Sequence, residues 1–401
     1  MKLSLNKTVV AVASSALLLM AVPVVGLAST AGASGPTFDI GYEGPLTGSA
    51  AQLGINMEYG VQLALSQANA LENLPFTVHL VNLDDQGSGT LSPAQAQAAI
   101  ADPNMVAVVG PAFSGATRAA EPYYSAGNMA TVSPSATAAP LAFGTNNNFM
   151  RVVAGDDVQG AADANFLVKK KHFKKIYVVN DASFYGAGLA AVAATKAKAD
   201  KAKVLTATYS ESSSCGGTAS VSQYTAAATQ IKASKATAVF YGGYYCDLGL
   251  LIGALHSAGY KGAIMSGDGA LDPALIKGTT PHSAANGVYL SVAGGGNAFL
   301  TGNLASEYQA QNGAPSASTA TYAAQAYDAT NMIIAAIKAA YAGGTTTASA
   351  LRPALITGLH ALTYVGVTGK IKFQPNGNLV RSSVVDFSQV VKGKIKAIGH
   401  S

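Results

Sequence analysis

Hydroxyl-bearing residues recur in this 401-residue sequence where short apolar runs end. Ser114 follows the run Met105–Val109, and both Ser135 and Thr137 follow the run Met129–Val132. Glycines and prolines beside them let the backbone turn sharply at these points. Hydroxyl groups, together with the free N–H groups at the start of a helix, are suited to hold a carboxylate without a mobile cation. These three residues are therefore candidates to hold the acid group of a small ligand.

An acid and two tyrosines follow later apolar runs in the same way, namely Asp268, Tyr185 and Tyr244. The carboxylate of Asp268 could pair with an ammonium group, and tyrosine rings offer faces to apolar or cationic parts of a ligand. Taken singly, each serine or threonine is more simply a turn former or a helix cap. Five similar strand ends together favour one shared cleft.

The apolar runs themselves predict β-strands that alternate with helices from residue 36 onward. The predicted strands are Phe38–Tyr42, Phe76–Leu83, Met105–Val109, Met129–Val132, Ile176–Val179, Val204–Tyr209, Ala238–Tyr241, Ala263–Met265 and Val288–Leu290. Such alternation is typical of α/β proteins, whose parallel sheets are covered by helices on both faces. A single sheet would need all of these strands side by side, so we predict two sheets in two lobes.

Helix signals stand between the strands. Ser92 is a predicted N-cap, followed by Pro93 at the first helical position. Asp156 and Asp157 are predicted to cap a second helix. A long helix is predicted over Thr319–Tyr341.

Two further segments carry local signals. Leucine and isoleucine at 248, 251, 252 and 255 form the stripe of a helix that packs on a sheet. In the tail, alternation of apolar and polar residues around residues 376–378 and 392–394 predicts hairpins.

The N-terminal segment has the pattern of a secretion signal. Two lysines precede an apolar run over residues 9–25, and small-residue cleavage sites end at Ala28 and Ala33. The run is interrupted by Pro23 and is short for a membrane-spanning helix. We therefore expect residues 1–33 to be a signal peptide and the mature chain to be soluble outside the cytoplasm. The cleavage sites have no neighbouring cysteine that could carry a lipid.

The only two cysteines in the sequence are Cys215 and Cys246. In an exported protein an even pair favours a disulfide, with two buried free thiols as the alternative. Two ligands alone make a poor zinc site.

Charge and motifs exclude several classes of function. The formal charge of +5 falls to +3 without the two lysines of the leader, which is too weak to argue for nucleic-acid or membrane partners. The lysine cluster at 169–175 is interpreted as a solvated helix C-terminus.

Dinucleotide, P-loop, zinc-protease and serine-hydrolase motifs are absent from the sequence. We expect no cofactor and no metal.

The segments that carry these residues resemble periplasmic binding proteins of the Leu/Ile/Val-binding type, which serve ABC importers. The resemblance covers nearly all of residues 36–400 and rests on the segments GYEGPLTGSAAQLG, VNLDDQGS, VVGPAFSGATRAAEPYYSAGNMATVSPSAT, FMRVVAGDDVQG, IYVVNDASFYGAGLA, VFYGGYYCDLGLLIGALHSAG, SGDG and AYDA. It implies two doubly wound parallel-sheet lobes joined by a three-strand hinge. Residues 34–151 plus 292–364 would form the first lobe, and residues 152–291 plus 365–401 the second.

The resemblance also implies roles for individual residues. Ser114 and Thr137 match positions that hold an amino-acid carboxylate. The carbonyl of Ser135 and the hydroxyl of Thr137 match acceptors for the ammonium group, and Asp268 matches its acidic partner. The implied ligand-binding residues are Leu53, Phe113, Ser114, Ser135, Ala136, Thr137, Tyr185, Tyr244, Asp268, Gly269 and Tyr327. Two departures, Leu53 in place of a tyrosine and Asp268 in place of a glutamate, leave the ligand's side chain open.

The function implied by the resemblance is capture of a small amino-acid-like ligand, with a branched-chain amino acid as the first candidate, and its delivery to a membrane ABC permease. The protein would act as a monomer and would make or break no bond. Two alternatives stay open at this point. One is a sensory receptor module of the same fold, and the other is an exported hydrolase or lyase that uses Asp84, Asp85 or Asp268.

Overall fold

The computed structural model describes residues 35–71, 73–142, 147–210, 218–293, 300–380 and 384–401. The predicted signal peptide, residues 1–33, and Cys215 lie outside the described residues. Cys246 lies in a described helix, but its pairing with Cys215 stays a prediction.

Strands and helices alternate along the described chain, as the sequence predicts. The strands are β1 (Thr37–Gly44), β2 (Thr77–Asp84), β3 (Met105–Val109), β4 (Ala130–Ser133), β5 (Phe149–Arg151), β6 (Lys175–Asn180), β7 (Lys203–Thr208), β8 (Ala238–Gly242), β9 (Ala263–Ser266), β10 (Tyr289–Ala293), β11 (Tyr364–Gly366), β12 (Gly369–Ile371), β13 (Val385–Val391) and β14 (Lys394–His400). The helices are α1 (Ala51–Leu71), α2 (Ser92–Ala101), α3 (Ser114–Ala126), α4 (Asp156–Asn165), α5 (Phe184–Ala199), α6 (Thr218–Ala233), α7 (Tyr245–Ser257), α8 (Ala274–Gly278), α9 (Gly302–Ala310), α10 (Ala323–Ala342) and α11 (Ala348–Ala361).

Two sheets organise the described chain, and the parallel part of each has the same strand order. The first sheet runs β2-β1-β3-β4-β5, and the second contains β7-β6-β8-β9-β10 with the antiparallel strands β13 and β14 added at its edge. Both therefore have the doubly wound order 2-1-3-4-5, in which ligands bind beyond the carboxyl ends of the first and third strands. The predicted α/β fold with two parallel-sheet lobes is confirmed.

Helices cover both faces of the first sheet. On one face, α2 and α3 enclose a small core that includes Met105, Val108 and Tyr124. On the other face, α1, α10 and α11 pack against each other and against the sheet. In the second lobe, the predicted helical stripe lies on α7, where all four residues, from Leu248 to Leu255, are at most 1% exposed.

The chain passes between the sheets after β5, after β10 and again before β13. At the first passage, the buried guanidinium of Arg151 donates to the carbonyls of Ala136 and Ala138 and to Oδ1 of Asn378 at 3.2, 2.9 and 2.7 Å. One side chain thus fixes a segment after β4 to the tail. The exact lobe boundaries stay a prediction.

The tail forms the expected β13–β14 hairpin, which turns at Lys392 and Gly393. A single bridge joins Phe373 to Leu379 around the other predicted turn. No described helix combines the length and the apolar character that crossing a membrane requires.

Three local predictions about helix starts are wrong. Ser92 is the first residue of α2, not its cap, and its hydroxyl is buried against the carboxyl group of Glu43. Gly155 precedes α4, so Asp156 lies inside the helix and caps nothing. The helix predicted over Thr319–Tyr341 begins only at Ala323, because Tyr322 before it has a left-handed backbone with φ of 66°. In each case a buried contact or a backbone turn replaces the local signal.

Glu43, at the end of β1, is fully buried in the first lobe. Its carboxyl oxygens contact the hydroxyls of Ser92 and Tyr124, and the Ser92 hydroxyl also reaches the carbonyl of Ala116 at 3.1 Å. A neutral carboxyl group lets all of these contacts be hydrogen bonds, since it can donate to one of the hydroxyls. Burial, followed by the nearby Asp85, raises the pKa of Glu43 to about 8.

This raised pKa predicts how stability depends on pH. The pKa of Glu43 is about 8 in the folded chain and 4.5 ordinarily. Its contribution to the free energy of unfolding is therefore complete below pH 4.5 and is lost as the pH rises through 8. Glu43→Gln should remove the part of this slope that Glu43 causes and should stabilise the protein at alkaline pH by roughly 2 to 4 kcal/mol relative to wild type. Thermal melts across the pH range measure the stability of wild type and variant. Glu307→Gln, at an exposed position, is the control. An unchanged slope in Glu43→Gln contradicts the assignment.

Candidate functional site

The two sheets present the carboxyl ends of their first and third strands to one another. Phe113 and Ser114 follow β3 at the start of α3, and Tyr244 follows β8 at the start of α7. The rings of Phe113 and Tyr244 stack across the junction with centroids 4.5 Å apart and an interplanar angle of 13°. Tyr185, which follows β6, lies 5.3 Å from Tyr244 between ring centroids. The predicted strand ends thus meet at one place.

A small cavity of about 20 Å³ lies at this junction. Its lining contains eight of the residues expected from the sequence: Leu53, Phe113, Ser114, Ser135, Tyr185, Tyr244, Asp268 and Gly269. Sequence reasoning missed three further lining residues, Met57, Ala112 and Tyr322. Ala112 belongs to the segment GPAFS, which follows the predicted strand Met105–Val109. The other two lie outside the strand ends, on α1 and just before α10.

Three expected residues do not line the cavity. The backbone of Ala136 is held by the Ser133 hydroxyl and by Arg151. Thr137 is fully buried, and its hydroxyl makes no hydrogen bond of normal geometry, although it lies close enough to Asp156 to lower the pKa of that acid.

Tyr327 lies on α10, where its hydroxyl donates to Oε1 of Gln67 at 2.6 Å. Tyr322, which precedes α10 with a left-handed backbone, lines the cavity instead.

Two hydroxyls from the first lobe supply hydrogen-bonding groups of opposite kinds. Oγ of Ser114 accepts from the backbone N–H of Ala138 at 3.1 Å, so its own hydrogen is available to a ligand. The hydroxyl of Ser135 donates to the carbonyl of Ala112 at 2.7 Å, so its oxygen can accept. Ser114 is also the first residue of α3, where free N–H groups and the helix dipole favour an anion.

Asp268 is the only acid in the cavity lining of the described chain, and it is 4% exposed. The hydroxyl of Tyr185 donates to its Oδ1 at 2.8 Å and accepts from the N–H of Gly269 at 3.0 Å. A side chain at Gly269 would place its Cβ 2.7 Å from the Tyr185 ring, so glycine is needed for this approach. Burial raises the pKa of Asp268, and the Tyr185 hydroxyl offsets part of that effect.

Two further buried acids, Asp156 and Asp163, lie on α4 close to Asp268. Neither carboxyl group makes a hydrogen bond of normal geometry. Burial, and in second place the charge of Asp268, raises the pKa of Asp156 well above its ordinary value. Burial does the same to the pKa of Asp163. Three neighbouring acids disfavour each other's ionisation. Because Asp268 lines the cavity, a cation bound there would favour the ionised form of Asp268.

Other contacts between the lobes show that the cleft is closed. The guanidinium of Arg118 on α3 lies 4.1 Å from the centre of the Phe184 ring on α5. The amide of Asn56 on α1 donates to Oδ2 of Asp272 at 3.1 Å. The hydroxyl of Thr321 donates to the carbonyl of Leu271.

The described chain contains no group of three side chains that could hold a metal ion. Asp84, a residue of the hydrolase alternative, instead holds a loop: its carboxylate accepts from the N–H of Leu46 at 2.9 Å and from the hydroxyl of Thr47 at 2.6 Å. Asp85 accepts from the N–H of Gly87 at 2.7 Å. Neither residue lines the cavity.

Known proteins share this sequence pattern and fold. The sequence model of the periplasmic binding protein family matches residues 37–394. A Leu/Ile/Val-binding protein of Rhizobium johnstonii is 28% identical over 345 residues, which are 86% of this chain and 89% of that protein. The leucine-binding protein LivK of Thermotoga maritima is 22% identical with a TM-score of 0.76, covering 90% of this chain and 98% of that one. LivJ of Streptococcus pneumoniae, solved in complex with isoleucine, is 24% identical with a TM-score of 0.75, covering 91% and 99%.

The two solved structures show the fold, and the family match shows the kind of protein. The matched region spans both sheets and the cleft between them. The family consists of solute-binding proteins and not of enzymes, which excludes the hydrolase alternative. The resemblance seen in the sequence is confirmed: the chain belongs to the periplasmic binding protein family.

Proposed function

We propose that this protein captures a small zwitterionic amino acid, with a branched aliphatic side chain, in the cavity between its lobes and delivers it to an ABC permease. The observation that carries the proposal is that one buried acid, Asp268, and one free hydroxyl hydrogen, on Ser114, line the same small closed cavity. Those two groups suit the two charged ends of an amino acid. The relative from Rhizobium johnstonii, a Leu/Ile/Val-binding protein, supports the choice of ligand.

Each end of the ligand has its own partners in this proposal. Ser114 and the N-terminus of α3 hold the carboxylate. Asp268 takes the ammonium group, and the oxygen of Ser135 accepts a second hydrogen bond from it. Leu53 and Met57 form the apolar wall for the side chain. Thr137, Ala136 and Tyr327 are not part of the proposed site, because they do not line the cavity.

Closure of the lobes completes the site. Ligand would first meet the hydroxyls of the first lobe, and closure would then bring Tyr185, Tyr244 and Asp268 from the second. Contacts made only in the closed state shift the balance between open and closed forms. The stack of Phe113 on Tyr244 and the contact of Arg118 with Phe184 would hold the closed form together. The closed protein would be recognised by the permease as a monomer.

Export is part of the same proposal. The family and the leader pattern of residues 1–33 support a place outside the cytoplasmic membrane, with the leader removed. The Cys215–Cys246 disulfide would then form in an oxidising compartment.

Asp268→Ala should weaken binding of leucine or isoleucine by roughly a hundredfold or more, because the ammonium group loses its buried partner. Calorimetry measures the affinity, and Asp200→Ala, an acid far from the cavity, is the control. Unchanged affinity in Asp268→Ala contradicts the assignment of this residue. If wild type binds an aromatic acid or an amide but no zwitterion, the proposed ligand class is wrong.

Phe113→Ala should open the ligand-free protein, because it removes the ring that stacks on Tyr244 between the lobes. Small-angle scattering should give a larger radius of gyration than for wild type, and saturating ligand should restore the compact form. Tyr123→Ala, at an exposed position of the same helix, is the matched control. Superimposable curves for Phe113→Ala and wild type would show that the stack does not hold the lobes.

The exported protein should have lost its leader and should hold a disulfide. Its intact mass should correspond to a chain that begins after Ala28 or Ala33, and its cysteines should react with an alkylating reagent only after reduction. A mass that includes the leader, or alkylation of Cys246 under denaturing conditions without reduction, contradicts this part of the proposal.

A further inference from the structure

The small net charge of this protein conceals an uneven distribution between the two lobes. Residues 152–291 and 365–401 contain 19 of the 25 lysines and arginines and 10 of the 20 acids. Residues 34–151 and 292–364 contain only 4 of the basic residues and the other 10 acids. The second lobe therefore carries a formal charge of +9 and the first −6. Such asymmetry indicates a surface that interacts with an anionic partner.

The structure collects most of this charge at one end of the second lobe. We define the basic pole as the amino ends of the second sheet's parallel strands with their adjoining turns, residues 166–175, 196–203, 230–238, 256–263, 284–290 and 389–396. Pairing holds these segments together: Lys175 lies opposite Lys203, the N–H of Thr237 donates to the carbonyl of Lys175 at 2.9 Å, and the N–H of Gly287 donates to the carbonyl of Val390 at 2.8 Å.

Thirteen exposed lysines lie on the basic pole. They are Lys169, Lys170, Lys171, Lys174, Lys198, Lys201, Lys203, Lys232, Lys235, Lys261, Lys392, Lys394 and Lys396. The only acid in the segments that define the pole is Asp200, which pairs with Lys169 at 3.2 Å and Lys196 at 2.5 Å. The positive charge is thus largely uncompensated within the pole.

Helix ends account for part of this charge but not for all of it. Lys232 and Lys175 donate to the carbonyls of Ala258 and Ser234 near the ends of two helices. Lys394 and Lys396 lie instead on the edge strand β14, and Lys261 precedes β9. Lysines on an edge strand discourage pairing with another strand, yet this does not explain why they lie beside the lysines of four other segments.

An open groove of about 840 Å³ runs through the basic pole. Lys232, Lys235 and Lys261 line it, together with the aromatic residues Phe173, Tyr260 and Tyr289. The hydroxyl of Tyr260 is buried and has no hydrogen-bond partner among the described residues. The ammonium group of Lys171 lies 4.9 Å from the centre of the Tyr289 ring at the same place.

We propose that the basic pole binds the anionic phospholipid headgroups of the membrane surface. Lysines are point charges that contact phosphates without a fixed geometry, and polybasic clusters of this size hold proteins at anionic membranes. Tyrosine side chains, apolar with one polar tip, are favoured at the headgroup level.

The pole is separated from the ligand cavity by the length of the parallel strands, roughly 17 Å. Binding there leaves the cleft free and keeps the protein close to the membrane. The proposal does not depend on which ligand occupies the cleft.

Vesicle binding by the processed, exported protein tests the proposal. The protein should sediment with vesicles that contain phosphatidylglycerol, should not sediment with pure phosphatidylcholine, and should be released by salt. Lys171→Glu/Lys261→Glu/Lys394→Glu should bind at least roughly tenfold more weakly. Lys277→Glu/Lys370→Glu/Lys372→Glu changes the net charge equally at exposed positions outside the pole and should bind as wild type does. Melting temperatures verify that both variants fold.

Three results would overturn the proposal. The first is the absence of binding to phosphatidylglycerol vesicles at low salt. The second is an equal loss in both variants, which would assign the effect to net charge. The third is binding of soluble polyphosphate without binding of vesicles, which would assign the pole to a soluble polyanion.

Discussion

A buried carboxyl group at a closed interface between two lobes is the constraint that shapes this site. Within the described chain no arginine or lysine lies beside Asp268. The Tyr185 hydroxyl donates to it, and the side chains of Tyr322 and Gln159 lie close enough to lower its pKa. A charge in such a place is costly unless it is paired. Two more buried acids, Asp156 and Asp163, lie close to it, and burial raises the pKa of both. A positively charged ligand group would supply the missing partner, which is why the proposed function assigns the ammonium group to Asp268.

The repeated strand order explains how distant parts of the sequence meet at this acid. In each sheet, the connections that leave the first and the third strand run in opposite directions along the sheet. The loops that follow these two strands can therefore face the other lobe. Phe113 and Tyr244 follow the third strands of the two sheets and stack on one another. Since the two lobes contribute opposite sides of one cavity, closing them both excludes water and assembles the contacts.

The sequence predicted the parts of the site that depend on strand ends. Apolar runs located the strands, and the residues after them located Ser114, Tyr185, Tyr244 and Asp268 in the cavity lining. Tyr322 could not be found in this way, because its position depends on a left-handed backbone before α10 and on no periodic pattern.

The failed predictions have the same kind of cause. Ser92 and Asp156 have the residue types of helix caps, yet burial against other elements decides their contacts. The net charge of the chain likewise gave no sign of the basic pole, since that cluster forms only when the strands of the second sheet lie side by side.

Proton exchange on ligand binding tests the central claim most directly. If Asp268 is partly protonated in the empty site and pairs with an ammonium group in the occupied one, leucine binding releases protons at pH values around the raised pKa of Asp268. Calorimetry in buffers of different ionisation enthalpy counts the released protons. The wild-type protein should show a net release that disappears above the raised pKa of Asp268. Binding without proton exchange, or with proton uptake, would contradict it.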